Sequence, residues 1–168
     1  PRSTLFPYTT LFRSIKYYRE LYLYALSLCK SHYQAEDLVS ETFFKALLSL
    51  DEDKPYIKYW LFRVCKNLFL DNAKKSKESS DTDSLEIMLS TEKTPLENII
   101  DNEERKQLYI LVMKLRPSYR EIIMLYYYCD FTLKEIATTT GLTEGAAKTM
   151  LFRARKKLKT ALEGRNEI

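Results

Sequence analysis

A chain of 168 residues, 45% apolar and with a formal net charge of +4, is long enough for one domain or two small ones and apolar enough for packed cores, which excludes wholesale disorder. Three Gly and five Pro are too few for turn-rich sandwiches and barrels, and no short alternating runs are present, so the predicted class is all-α. No apolar run reaches the ~18 residues of a membrane span and no charged-then-apolar leader opens the chain, so a cytoplasmic protein is expected.

Residues 1–14, PRSTLFPYTTLFRS, repeat Thr-Leu-Phe at Thr4 and Thr10 and have no helical period. They resemble translated adapter sequence and are expected to be a non-native or disordered tail outside the fold. Residues 15–77 read as an N-terminal helical domain. Leu21, Ala25 and Leu28 mark a first helix. After a turn near Ser31–Gln34, Val39, Phe43, Ala46, Leu47 and Leu50 mark a second, and Trp60, Leu61, Val64, Cys65 and Leu68 a third. On the second helix Asp37, Glu41 and Lys45 stand four apart beside Phe44 and Leu48. That strip reads as a solvated face or as a docking surface for another protein. His32 has no partners at ligand spacing and reads as a loop or surface residue. Cys29, Cys65 and Cys129 read as buried thiols of a reducing compartment, with no metal or cofactor expected.

The third helix, YIKYWLFRVCKNLFLDNAKKSK, sets Arg63, Lys66, Lys74 and Lys77 near one face with Leu70 between them. Tyr59, Phe62 and Phe69 lie beside that stripe, with Tyr56 and Trp60 nearby. Cations interleaved with aromatics suit single-stranded nucleic acid: Lys and Arg neutralise phosphates, and aromatic planes receive unstacked bases at roughly 1–3 kcal/mol each. Asn67 carries an amide of the kind that reads a flipped base by its edge. Packing plus a solvated face is the competing reading.

Charge is segregated along the chain. Residues 54–77 hold seven bases and one acid, residues 78–104 one base and nine acids, and residues 148–168 seven bases and two acids. The acidic stretch, rich in Ser and Thr and broken by Pro95, reads as a linker over 78–101 with a short helical piece near Leu85–Leu89.

Residues 102–162 read as a second helical domain. Leu108, Leu111, Val112 and Leu115 form one stripe, ended by Arg116 and Pro117; Tyr119, Ile122, Ile123 and Tyr126 form the next. Thr132 is placed to cap a short helix containing Leu133, Ile136 and Ala137, and Gly141 to end it. Leu142 is expected to point back into the core. Thr143 caps a last helix whose first turn carries Glu144, with Gly145 and Ala146 keeping a helix contact small. There Ala147, Leu151, Ala154 and Leu158 fall on the inner face, while Lys148, Phe152, Arg155 and Lys159 fall outside with Thr149, Arg153 and Lys156 alongside. Helix, four-residue turn and basic helix is the helix-turn-helix layout, whose second helix enters a major groove.

Together these segments resemble the sigma-70 family of bacterial RNA polymerase factors, and the small two-domain layout resembles its extracytoplasmic-function (ECF) group. AEDLVSETFFKA is similar to the polymerase-binding segment, KYWLFRVCKNLFLDNAKK to the −10 helix, and LRPSYREIIMLYYYCDFTLKEIATTTGLTEGAAKTMLFRARKKLK to the −35-binding domain. The resemblance implies that Asp37, Leu38, Glu41 and Phe43, with Phe44 beside them, dock on core RNA polymerase. It implies that Trp60, Arg63 and Asn67 meet −10 DNA, flanked by Tyr59, Lys66 and Lys74. Lys148, Thr149, Phe152 and Arg153 would meet promoter DNA at the −35 element, with Arg155, Lys156 and Lys159 adding phosphate attraction. Ser40, Met150 and Ala146 depart from the residues usual at their positions. An anti-sigma partner is a family expectation. No P-loop, nucleophile–base pair or metal cluster is visible, so the expected role is promoter specificity without catalysis. A helix-turn-helix regulator working without polymerase, and a helical protein-interaction module, are the alternatives.

Overall fold

The computed structural model describes residues 15–49, 56–79 and 103–164. The expectations for the N-terminal tail, for Leu50 and the loop after it, and for the linker with its short helix fall outside these residues. The chain divides into two compact units, Pro1–Met88 and Leu89–Ile168. The described residues are helical throughout, joined by short turns.

In the N-terminal unit, α1 (Tyr18–Cys29) packs against both α2 (His32–Ser49) and α3 (Ile57–Ser79). That double contact explains why Leu21–Ser27 are all buried, where the periodicity predicts a single stripe. Ser27 is accommodated because its hydroxyl donates to the Tyr24 carbonyl at 2.6 Å. Helix α2 buries Ala35, Leu38, Val39, Thr42 and Ala46. Leu47, expected in that stripe, is exposed, and Phe43 is half-buried. Helix α3 buries Leu61, Phe62, Cys65 and Leu68, while Trp60 and Val64 are half-buried. It continues through Ser79, two residues beyond the expected domain edge. The three cysteines are free thiols. Burial pushes the Cys65 thiol up to about 12, which leaves it inert as a nucleophile at neutral pH.

The turn between α1 and α2 is tighter than the composition implies. Lys30 takes a left-handed conformation (φ 58°), its N–H reaches the Leu26 carbonyl, and α2 begins at His32. His32 is therefore a helix residue with a half-buried ring, and its Nδ1 lies 2.8 Å from the Tyr22 hydroxyl. Tyr18 and Tyr22 stack between Phe43 and His32, at centroid spacings of 6.1, 6.1 and 6.4 Å along the ladder. Burial lowers the His32 pKa, partly offset by Glu36. The folded chain thus resists a proton that the unfolded chain accepts near 6.5. Stability is full above that pH and falls as pH drops through the depressed folded value. Urea unfolding as a function of pH should show this slope, and His32→Gln should remove it.

In the C-terminal unit, α4 (Glu103–Met113) and α5 (Pro117–Ile123) lead into a π-helical turn, Met124–Tyr128, followed by α6 (Leu133–Thr140) and α7 (Glu144–Glu163). Helices α4, α5 and α6 all pack on α7. Leu111, Val112, Tyr119, Ile122 and Ile123 are buried as the stripes predict, joined by Tyr109 and Met113, while Leu108, Leu115 and Tyr126 are half-buried. Pro117 occupies the first turn of α5, where its missing N–H costs nothing. Arg120 is the unexpected core residue. It is buried, and its Nη1 donates to the Met113 and Leu115 carbonyls, each at 3.2 Å, satisfying the end of α4.

The helix-turn-helix forms as its residues require. The Thr132 hydroxyl accepts the Glu135 N–H and the Glu135 carboxylate accepts the Thr132 N–H, a complete capping box. Gly141, at φ 74°, ends α6 in the left-handed region. Thr143 caps α7 by accepting the Ala146 N–H at 3.1 Å. Ala147, Leu151, Ala154 and Leu158 are the buried face of α7, as predicted. Two expectations fail here. Gly145 and Ala146 are exposed, and a Cβ at Gly145 would meet nothing within 4 Å, so they make no tight helix contact. Leu142 is half-buried rather than in the core.

Candidate protein and nucleic-acid interfaces

The outer face of α2 combines carboxylates with exposed apolar rings and chains. Asp37, Glu41 and Lys45 are exposed as the strip predicts, and Phe44 and Leu48 are 61% and 72% exposed. Exposed apolar side chains beside carboxylates form a mixed acidic and apolar face. Two residues expected on this surface sit elsewhere. Leu38 is 4% exposed because it belongs to the inner stripe with Ala35, Val39 and Thr42. Phe43 turns sideways to stack on Tyr18.

Beside the strip lies a groove of about 500 Å³ between the end of α1, the first half of α2 and the end of α3. Asp37 and Glu41 stand on its α2 wall with Leu38, and Phe69, Asn72 and Ala73 come from α3. Residue spacing hinted at this α3 contribution, since Phe69, Ala73 and Ser76 repeat at four and three. The basic stripe of the same helix drew attention to the other side.

Of that basic stripe, Arg63 and Lys74 are exposed with Asn67 and Leu70 at spacings of 4, 3 and 4, hence on one face of α3, while the Lys77 side chain lies outside the described residues. Tyr59, Trp60 and Lys66 flank it half-buried. Tyr56, 67% exposed, leads into α3 with its ring 6.3 Å from that of Tyr59, and Lys58 lies 5.7 Å from the Tyr17 ring. Aromatic planes are thus concentrated toward the N-terminal end of the stripe and cations run along it. Phe62 leaves the candidate set: it is fully buried, 5.0 Å from the Tyr24 ring. Phe69 also leaves, since it lines the α2 groove.

On α7, Lys148, Thr149, Phe152, Arg153 and Lys156 are exposed opposite the buried Ala147, Leu151, Ala154 and Leu158. Phe152 is 67% exposed among these cations, an apolar ring outside the core. Arg155 differs. Its Nε donates to the Tyr127 hydroxyl at 2.6 Å, and its guanidinium lies 5.2 and 5.4 Å from the Tyr126 and Tyr127 ring centres. Lys159 pairs with Glu163 at 3.6 Å, an exposed contact of small energetic value. Among the described residues, no group of three or more His, Cys, Asp or Glu side chains could hold a metal ion, and no helix is long and apolar enough to cross a membrane.

Comparison with known proteins matches both units separately. The Sigma-70 region 2 family covers residues 15–78 and the Sigma-70 region 4 family covers residues 105–158. The chain is 33% identical over 147 residues to the ECF RNA polymerase sigma factor SigM of Bacillus subtilis, a match spanning 85% of this chain and 88% of SigM. It is 27% identical to SigW of the same organism, over 77% of this chain and 76% of SigW. Among solved structures, the sigma factor RpoE of Bartonella quintana, in complex with the anti-sigma factor NepR, superposes with a TM-score of 0.65 at 25% identity, over 91% of this chain and 94% of that one. CnrH, in complex with the cytosolic domain of CnrY, shares the fold at 22% identity with a TM-score of 0.63, over 92% and 88% of the two chains.

Proposed function

The chain belongs to the ECF RNA polymerase sigma factor family, and from that membership we propose how its two units divide the work of directing promoter recognition. The N-terminal unit docks on core RNA polymerase through Asp37, Glu41 and Phe44. Leu38 and Phe43 support that face from beneath by fixing α2 against α1 and α3. The exposed stripe of α3 takes the melted −10 strand: Tyr59 and Trp60 offer planes to bases, Asn67 an amide to a base edge, and Arg63, Lys66 and Lys74 neutralise phosphates. Helix α7 enters the −35 major groove with Lys148, Thr149, Phe152 and Arg153 toward the bases and Lys156 toward the backbone. Nucleotidyl transfer belongs to the polymerase; this chain contributes selection, in the cytoplasm, and without a cofactor. An anti-sigma protein would act by covering these same faces.

The observation that carries this reading is an order. An exposed acidic and apolar strip, an exposed cation-and-amide stripe and a basic helix follow one another on the segments matched by regions 2 and 4. A regulator working without polymerase would need only the last of them. The test is to sequence DNA retained by the chain mixed with core polymerase, then run promoter-dependent transcription on that DNA. Transcripts that require both proteins are expected. Equal retention without polymerase, and no transcript, would establish the helix-turn-helix regulator instead.

Lys148→Ala should weaken binding to the −35 duplex by ~1–3 kcal/mol if the ammonium meets a base edge. Fluorescence anisotropy at physiological salt measures it, and unchanged affinity would remove Lys148 from the contact set.

A further inference from the structure

Arg155 was grouped with the phosphate-attracting cations on sequence, yet its exposed guanidinium is engaged by side chains of the protein itself. It lies in a notch made by two consecutive tyrosines whose rings are 5.0 Å apart at 74°. Consecutive side chains on an α-helix diverge by about 100°, which would carry one of the two away. Here the backbone is π-helical: the Cys129 N–H reaches the Met124 carbonyl at 3.1 Å, five residues back. Across this turn Tyr126 and Tyr127 both lie within reach of Arg155 on α7. Such turns are rare, and they occur frequently at functional sites.

We propose that Tyr127, helped by Tyr126, is a positioning residue for DNA reading: its hydroxyl and the paired rings clasp Arg155 and so set the rotation of α7 about its own axis. The proposal rests on the reading of α7 as the −35 helix. The inner face of α7, two alanines and two leucines, packs on α4, α5 and α6. Apolar packing is non-directional, whereas a guanidinium donating to one hydroxyl is directional, so the clasp adds a restraint on the rotation of α7 at its flank. Arg155 is two residues from Arg153, about 200° around the helix, so clasping it aims Arg153 outward. The stakes follow from geometry. Side-chain tips lie ~6 Å from the axis, so a rotation of about 20° moves them by about 2 Å. That exceeds the tolerance of a hydrogen bond to a base edge, while long flexible Lys and Arg chains still reach phosphates. Loss of the clasp should therefore cost sequence discrimination and leave non-specific binding alone.

The test compares the full chain with its Tyr127→Phe, Arg155→Ala and Arg155→Lys variants, and with the Tyr127→Phe/Arg155→Ala pair. Each is titrated by anisotropy over a range of salt against the duplex that the holoenzyme selects and against a scrambled duplex. Tyr127→Phe keeps the ring of a residue that is 43% exposed, so the fold is retained, which thermal unfolding checks. The expected result is an affinity for the selected duplex about five- to tenfold lower for each single variant. Binding to the scrambled duplex and the salt slope should be unchanged, the double variant should be no worse than the singles, and Arg155→Lys should give no rescue. A salt slope lowered by about one on both duplexes in Arg155→Ala, with Tyr127→Phe silent, would make Arg155 a phosphate contact and overturn the clasp. Variants indistinguishable from the parent chain would overturn it too. A parent chain that binds both duplexes equally would instead sink the −35 reading, and the clasp's role with it.

Discussion

Replacing Glu41 by Lys is expected to abolish binding to core RNA polymerase, by more than about 100-fold, while leaving binding to an isolated −35 duplex intact. Glu41 is exposed on α2, one turn from Asp37 and beside Phe44, on the wall of the α1–α2–α3 groove. Reversal places a cation where the partner must present one, and like charges brought together at an interface cost several kcal/mol. The fold should not notice. A lysine at 41 faces Lys45 unfavourably and Asp37 favourably, each by ~0.2–0.5 kcal/mol, so the two nearly cancel. Co-sedimentation with core polymerase and anisotropy on duplex DNA read the two activities separately. Equal loss of both would mean that the variant damages the chain as a whole and that the α2 strip is no docking surface.

Phe62→Ala should unfold much of the N-terminal unit, at a cost of ~3–5 kcal/mol. The ring is completely buried and packs on Tyr24, so its removal leaves a cavity of phenyl size between α1 and α3. Net stabilities of whole domains are only about 5–15 kcal/mol, so the loss is a large fraction. Trp60, the chain's single tryptophan and two residues away on α3, reports the transition by fluorescence in urea. Tyr56→Ala is the contrast. Its side chain is 67% exposed, so stability should stay within about 0.5 kcal/mol while affinity for single-stranded −10 DNA falls. A stable Phe62→Ala protein that has lost single-strand binding would return Phe62 to the base-stacking set.

These two residues mark how far the sequence could be read. Glu41 and Asp37 were placed on an outer face because period 3.6 puts them opposite Val39 and Ala46, and charge has no cheaper place than water. The same reasoning listed Phe62 beside the basic stripe, since a phenyl ring satisfies a base or a core equally well. Only the presence of α1 against that side of α3 decides between them. Leu47 failed in the opposite direction, counted as core and found in solvent.

Sequence alone determined the all-helical class, the two units, the caps at Thr132, Gly141 and Thr143, and the inner and outer faces of α7. Each depends on interactions within a few residues: a hydroxyl meeting an N–H three positions on, a glycine taking a positive φ, an apolar period. Tertiary structure decided what depends on a distant neighbour. It buried α1 on nearly every side, turned Phe43 to Tyr18, drew His32 to Tyr22, sank Arg120 into the end of α4 and gave Arg155 to Tyr126 and Tyr127, close in space but distant in sequence. The physical reason is that aromatic rings, guanidinium and imidazole groups are amphipathic, equally at home at a surface or in a satisfied interior, and a one-dimensional pattern does not contain the partner that tips the balance.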